Sequence, residues 1–268
     1  MTSFLRSFGA GHLALFICIA YSLLCILGDQ KIIPESYFSD KNNFFNQYFV
    51  KWAWGWTMCV TAPFILMSGC ILWKEYPLLI VRDFLRIIVG ILVWFLWVSI
   101  FNYIEEMTGN CSTSGYSKKW TCIKAGHVWD GYDISGHSFL LIYSALFIHE
   151  ELQAYWIVCD LSNNSSWLQS VSSKAKQLFG INNLANETMK SLTNLLARLQ
   201  PVLFVSALVA LCIEVLWLFM MVWTALYFHT TDHKIVGAFI ALLNWFVTYR
   251  LWYQSPLSPG LPGRLTCT

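Results

Sequence analysis

Six long apolar stretches constrain the fold of this chain more than any other feature of its sequence. Each reaches the roughly 17 to 25 residues that a helix needs to cross about 30 Å of hydrocarbon. Charged residues make up only 12% of the chain, whereas a soluble domain carries about twice that fraction. The sequence therefore predicts an all-α integral membrane protein, a six-transmembrane-helix bundle forming one domain over 1–268. The predicted spans are 9–28, 49–72, 84–104, 137–158, 201–228 and 235–253.

An even number of spans places both chain ends on the same side of the membrane. Lys and Arg number ten on that side and seven on the other, so the positive-inside rule favours cytosolic termini. The Ser- and Asn-rich stretch 160–200 is then a cytosolic loop. Within it, 175–199 has apolar residues at nearly helical intervals, which indicates either an amphipathic surface helix or a solvated linker with a short helix.

The net charge and the positions of the cysteines limit which partners the chain can bind and which compartment it can occupy. The formal net charge of +2 is too small to indicate a nucleic-acid partner. Most of the nine cysteines lie in apolar stretches, where a thiol behaves as a small buried hydrophobe. Cys111 and Cys122 lie instead in a polar loop, where a disulfide would require an oxidising compartment; the sequence leaves the bridge open. Asn110, beside them, is the one glycosylation sequon expected in the lumen.

A run of small and polar residues leads directly into the fourth predicted span. It contains Asp133, Ser135, Gly136 and His137. Free backbone N–H groups and the helix dipole make a helix start attractive to anions. Gly136 would let an oxyanion approach closely, and the His137 imidazole can deliver a proton. These residues predict a phosphoryl-binding site at this helix start.

A second histidine, His229, ends the fifth predicted span on the same lumenal face as His137. One imidazole can attack phosphorus while the other protonates the leaving oxygen, a division of roles that requires no metal or cofactor. The alternative is that each is an interfacial side chain satisfied by water. Four charged residues inside the spans lie roughly 20 Å below the histidines. We expect Glu214 or Glu151 to pair with Arg250, unless these charges simply mark helix ends at the cytosolic interface.

The string 129–141 resembles the signature of the fat storage-inducing transmembrane protein family. The resemblance implies an endoplasmic-reticulum membrane protein with six spans and cytosolic termini, required for lipid droplet formation and lipid balance. It also implies similarity to lipid phosphate phosphatases, with His137 as the acid of the second phosphatase motif and His229 as the nucleophile of the third, in a site that faces the lumen. Further similarity covers 34–37, 48–51, 104–105, 108–111, 227–229 and 258–262.

The resemblance also implies an activity. Family members are described as acyl-CoA diphosphatases, which cleave unsaturated fatty acyl-CoA to acyl 4′-phosphopantetheine and adenosine 3′,5′-bisphosphate, and as binders of triacylglycerol and diacylglycerol. We therefore expect a hydrolase that acts on acyl-CoA or on a lipid phosphate. The rival hypothesis is a non-catalytic binding protein that partitions triacylglycerol into droplets.

The phosphatase pattern is incomplete in this chain. Its third motif has an Arg six residues before the nucleophile, where this chain has Trp223, and an Asp four residues after it, where this chain has His233. Other cations must therefore offset the charge of the phosphoryl group. Lys51, at a span boundary, is the favoured choice, and Asp133 or Asp232 is expected to orient a histidine. The lumenal candidates are Lys41, Lys51, Lys118, Lys119 and Lys124.

Overall fold

The computed structural model describes residues 9–30, 32–73, 77–163 and 182–263. This part of the chain is mostly helical, with a short two-stranded antiparallel sheet formed by β1 (Asn110–Cys111) and β2 (Trp129–Asp130). Brief 3₁₀ turns occupy Tyr37–Ser39, Val50–Trp52 and Trp252–Gln254, and a π-helical turn occupies Phe246–Leu251. The α-helices are α1 (Ala10–Asp29), α2 (Phe44–Tyr48), α3 (Ala53–Leu72), α4 (Pro77–Thr108), α5 (Lys119–Lys124), α6 (Gly136–Glu151), α7 (Gln153–Asn163), α8 (Asn182–Tyr227) and α9 (Thr231–Trp245).

Within the described ranges, five helical segments are long and apolar enough to cross a membrane. They match the first, second, third, fifth and sixth predicted spans. The fourth predicted span, 137–158, is divided at Leu152 between α6, of 16 residues, and α7, of 11 residues. Neither helix alone reaches the usual spanning length. The five segments are Ala10–Asp29, Val50–Leu72, Leu78–Thr108, Asn194–Tyr227 and Thr231–Gln254.

The loop predicted over 160–200 is partly helical. Helix α7 continues to Asn163, and α8 already begins at Asn182. Residues 164–181, with the start of the proposed amphipathic segment, lie outside the described residues. Because α8 has 46 residues, it is about 69 Å long, far more than about 30 Å of hydrocarbon.

Helix α6 forms the centre of the bundle. Thirteen of its 16 residues are buried, and it packs against α8, α9 and α3. Tyr143 lies between two aromatic rings, with Phe139 stacked on one side at 5.7 Å and Trp54 of α3 at 5.5 Å between ring centroids. Every residue from Ser138 to Ile148 is buried, so protein rather than lipid surrounds the helix on all sides. The fourth apolar stretch therefore becomes the core rather than a lipid-facing helix.

Two glycines let neighbouring helices meet at the end of the bundle where α6 begins. A Cβ atom at Gly237 of α9 would lie 2.5 Å from the carbonyl oxygen of Ser135, and one at Gly28 of α1 would lie 2.6 Å from that of Leu226. Neither approach leaves room for a side chain. The Ser135 N–H also donates to the carbonyl oxygen of His233 at 3.1 Å. The start of α6 and the α8–α9 loop therefore lie side by side.

The buried charges pair differently from the expectation. Arg250 binds Glu150, with 2.5 Å between Nη2 and Oε1, so the predicted pairing with Glu214 or Glu151 is wrong. Neighbouring residues on a helix point about 100° apart, so only one of two adjacent glutamates can face Arg250. Glu151 instead binds Arg86 of α4, and Glu214 contacts His149 at 2.8 Å.

The polar loop before α6 is a hairpin that is closed by a disulfide and hydrogen-bonded to the end of α4. Cys111 and Cys122 form a disulfide, which the sequence had left open. The Trp129 indole N–H donates to the carbonyl oxygen of Glu105 at 3.0 Å, and the Tyr132 N–H donates to the hydroxyl of Thr108 at 2.9 Å. These bonds fix the hairpin to the end of α4 and thereby hold the segment that leads into α6.

Candidate active site

Ser135 is the N-cap of α6. Its hydroxyl oxygen accepts the Ser138 backbone N–H at 3.3 Å and the Ser138 hydroxyl at 2.8 Å. Tyr21 of α1 bonds the same Ser138 hydroxyl at 2.5 Å. Since Ser135 is fully buried and is engaged in this network, its hydroxyl orients the first helical turn. The structure thus gives Ser135 a capping role, and its predicted part in phosphate binding stays a prediction.

His137 and His229 line one cavity of about 330 Å³. The two residues are 92 positions apart in the sequence and meet because α6 and the α8–α9 loop share one end of the bundle. Among the described residues, no heavy atom outside the chain neighbours and the backbone of the same helix lies within 4 Å of a Cβ built on Gly136, so the backbone beside His137 is open. The helix start thus offers its first N–H groups to an anion beside the two imidazoles.

The backbone of His229 is in the left-handed region, with φ of 56°. A non-glycine residue in that region costs on the order of 1 kcal/mol or more, and such residues cluster at functional sites. The conformation joins the end of α8 to Thr230, the N-cap of α9. The Tyr227 hydroxyl holds the preceding turn by donating to the carbonyl oxygen of Pro34 at 2.8 Å.

Asp133 is the acidic residue that faces His229. Its Oδ2 lies 3.4 Å from Nδ1 of His229, which leaves Nε2 as the ring atom free of this contact. Burial lowers the pKa of His229, while the Asp133 carboxylate acts in the opposite direction. The neutral imidazole is therefore favoured, and a proton on Nδ1 directed towards Asp133 gives Nε2 a free lone pair.

Two of the five predicted lysines reach the cavity. Lys41 and Lys51 line it, and the Lys51 ammonium donates to the Gln47 side chain at 2.7 Å. Lys119 instead pairs with Glu105, and Lys124 lies over an indole ring. Lys118 is the N-cap of α5, outside the cavity lining.

Short helix α2 supplies cavity residues that the sequence reasoning missed. Asn46 and Gln47 lie on it, Asn42 just precedes it, and all three line the cavity. The Asn43 side chain caps this helix by accepting the Asn46 N–H at 2.8 Å. Five residues are too few for a periodic signal, and the Asn cap was the only sign that the sequence offered.

The residues at the two positions that depart from the phosphatase motif, Trp223 and His233, pack against neighbouring side chains. Trp223 stacks on Phe38, with 4.7 Å between ring centroids, and does not replace the missing arginine in the cavity lining. His233 meets the ring of Tyr132 edge-on at 4.4 Å, and its Nε2 lies 3.6 Å from a carboxylate oxygen of Asp232. Asp232 thus faces His233, whereas Asp133 faces His229.

Comparisons with known proteins identify the family of this chain. The family model described as "Fat storage-inducing transmembrane protein" matches residues 34–249. Proteins named "Acyl-coenzyme A diphosphatase FITM2" are 36% identical over 90% of this chain in Drosophila melanogaster, 33% over 92% in Danio rerio and 34% over 88% in Homo sapiens. The matched regions cover 58%, 86% and 80% of those relatives. No solved structure matches the chain. The family match includes His137, His229 and the hairpin before α6, and it confirms the resemblance: this chain belongs to the fat storage-inducing transmembrane protein family.

Proposed function

We propose that the cavity between α6 and the α8–α9 loop is the active site of an acyl-CoA diphosphatase. The observation that carries the proposal is that His137 and His229, from distant parts of the chain, line one cavity together with Lys41 and Lys51. The names of the relatives support the substrate class. The products would be acyl 4′-phosphopantetheine and adenosine 3′,5′-bisphosphate.

The reaction divides between the two histidines. Nε2 of neutral His229 attacks one phosphorus of the diphosphate, and the bridging P–O bond breaks while His137, which starts as the imidazolium, donates its proton to the departing oxygen. Water then attacks the phosphorus held by His229, gives its proton to His137 and releases the second product. One water is consumed, and both imidazoles return to their starting states.

Positive charge and backbone N–H groups would stabilise the transferred group. Lys41 and Lys51 offset its negative charge from the α2 side, and the first N–H groups of α6 approach it beside Gly136. Asp133 is assigned a positioning role through His229, rather than the phosphate contact expected from the sequence. These lysines take the place of the missing motif arginine.

The protein is a multi-pass membrane protein, and we place it in the endoplasmic-reticulum membrane with both termini cytosolic. In this arrangement α6 and α7 together make the fourth of six crossings. The Cys111–Cys122 bridge supports a lumenal location for the hairpin, because disulfides persist in oxidising compartments. The hairpin leads directly into α6, so the catalytic cavity would face the lumen too.

The test is hydrolysis by the purified full-length protein in detergent. We expect oleoyl-CoA to be converted to the two stated products, identified by mass spectrometry, and phosphatidic acid to be a poorer substrate. Hydrolysis of phosphatidic acid alone would make the protein a lipid phosphate phosphatase. Absence of both activities, with triacylglycerol or diacylglycerol retained by folded protein, would favour the neutral-lipid partitioning hypothesis.

Asp133→Asn is expected to move the acid limb of the pH profile to lower pH. The carboxylate raises the pKa of His229, so its removal lets that pKa fall further. The nucleophile must be neutral, and it now stays neutral to lower pH. The maximal rate should fall roughly tenfold or more, because the ring loses its orienting partner. The measurement is kcat/KM for oleoyl-CoA against pH.

Asp130→Asn is the matched control for Asp133→Asn. Asp130 is an exposed carboxylate in β2, three residues away along the chain. We expect its profile to follow that of the unmodified protein. An acid limb that stays in place in Asp133→Asn, or moves equally in both variants, would contradict the positioning role.

The lumenal assignment predicts that two of the nine cysteines resist alkylation in sealed microsomes and in denatured protein that has not been reduced. Mass spectrometry of the denatured protein should find Cys111 and Cys122 modified only after reduction, while the free thiols Cys18 and Cys59 react without it. Direct alkylation of Cys111 in the denatured protein would contradict the bridge and the orientation built on it. The same mass spectrometry also tests the prediction that Asn110 carries a glycan.

A further inference from the structure

A second cavity, of about 510 Å³, lies between α3, α4 and α6 beside the catalytic cavity. We call it the Trp groove because Trp52, Trp54 and Trp94 line it. Lys51 lines both cavities, so the two adjoin. Leu140, which also lines the groove, follows His137 by three residues and lies on the same face of α6. The groove therefore starts within one helical turn of the catalytic imidazole.

The length of the Trp groove is limited. Its lining extends from Lys51, in the 3₁₀ turn that precedes α3, to Met58 on α3, a rise of about 10 Å. Acyl-CoA carries a pantetheine arm between its diphosphate and its thioester. This arm has two amide units and is about as long as four extended residues, roughly 14 Å. The portion of the substrate that begins at the scissile diphosphate is the arm, which is longer than the groove by about 4 Å, so the groove would hold most of the arm and the acyl chain would lie beyond it.

The chemistry of the Trp groove also suits the arm. Pantetheine has a dimethyl group and methylenes, interrupted by amide carbonyls that need donors. Indole rings supply both an apolar surface and an N–H donor. The Trp54 N–H is buried, so Trp54 contributes its ring surface, and the donors for the arm are the indole N–H groups of the more exposed Trp52 and Trp94. Lys51 at the mouth provides positive charge where the diphosphate begins.

We propose that the Trp groove binds the pantetheine arm of acyl-CoA while the diphosphate reaches His137 and the acyl chain leaves the groove into the bilayer. The proposal rests on the diphosphatase function proposed above. It gives the site a basis for selecting acyl-CoA over lipid phosphates, whose acyl chains begin only a few atoms from phosphorus. Selectivity would then come from the arm and be indifferent to acyl-chain length.

Gly55 provides the test because it lines the Trp groove and because, in the part of the chain that the structure describes, no heavy atom of another element lies within 4 Å of a Cβ built there. Gly55→Phe should fill the groove without disturbing helix packing. We expect kcat/KM for oleoyl-CoA and for octanoyl-CoA to fall by the same factor, about tenfold or more. Gly55→Ala and Gly55→Leu should give graded, smaller losses.

Gly11→Phe is the matched control. Gly11 also lies near the start of a spanning helix with no heavy atom within 4 Å of its Cβ position, but it is on α1, outside the groove. Its kcat/KM should stay within about twofold of the unmodified protein. A loss in Gly55→Phe that is confined to oleoyl-CoA would assign the groove to the acyl chain and overturn the proposal. Unchanged hydrolysis of both substrates would overturn it as well.

A binding measurement separates this inference from the proposed reaction. CoA that carries a benzophenone on its thiol places the photoreactive group at the end of the arm. We expect it to label peptides that contain Met58 or Ile91 in the unmodified protein, and to lose this labelling in Gly55→Phe. Labelling elsewhere with hydrolysis intact would overturn the groove alone. Labelling in the groove without hydrolysis would overturn the reaction and leave the groove assignment in place.

Discussion

His229→Asn is expected to lower kcat/KM for oleoyl-CoA by about 10⁴-fold, since it removes the atom that attacks phosphorus. The asparagine amide cannot form the covalent intermediate, and Asp133 then has no imidazole to orient. The binding groups of the cavity, Lys41 and Lys51, remain. Loss should therefore appear in kcat rather than in KM, measured by product formation with protein of matched purity and elution profile.

His137→Asn should be less severe, with a loss of about 10³-fold, because it removes proton transfer but not the nucleophile. The double variant should be little worse than His229→Asn alone, since groups that act as a unit are not additive. His127→Asn is the control: His127 lies in the disulfide-clasped hairpin, bonded to Thr113, outside the cavity. Hydrolysis that survives in the double variant would exclude the histidine mechanism.

The sequence predicts those parts of the candidate site whose residues are adjacent in the chain. Ser135, Gly136 and His137 stand together at a helix start, and the structure places that start beside His229, as expected for two histidines predicted at one end of the bundle. The role of Ser135 could not be read in the same way. A serine at a helix start suits either a ligand or an N-cap, and only the contact with Ser138 distinguishes the two.

The fold was predictable to the extent that apolar length determines it. Five of the six predicted stretches are long and apolar enough to span a membrane, whereas the fourth is divided at Leu152, inside the polar run 149–153, and a criterion of apolar length cannot locate such a break. The same limit applies to charge pairing. Helical periodicity places Glu150 and Glu151 at one depth, yet their partners depend on the rotation of α6 against α4 and α9, which is a tertiary property.

That rotation buries an ion cluster whose disruption should have the largest effect on stability. Arg86 binds Glu151 through two nitrogen–oxygen contacts of 2.8 and 2.9 Å and Asp83 through one of 2.6 Å. The Tyr249 hydroxyl donates to the same Glu151 at 3.0 Å, and the Trp73 indole N–H donates to Asp83 at 2.8 Å. Arg86 is only 2% exposed, so each carboxylate depends on it for neutralisation.

Arg86→Gln should lower the free energy of unfolding by about 3–5 kcal/mol, because it leaves two carboxylates buried without their cation. Adding Glu151→Gln removes one of those charges and should restore a large part of the loss. Arg250→Gln, at a guanidinium that is 29% exposed, should cost less. Thermal unfolding in detergent measures the stability of all three variants.

Because Glu151 lies about 21 Å along α6 from His137, protein that remains folded should keep its hydrolytic rate. An unfolding midpoint in Arg86→Gln equal to that of the unmodified protein would show that the cluster contributes little to stability.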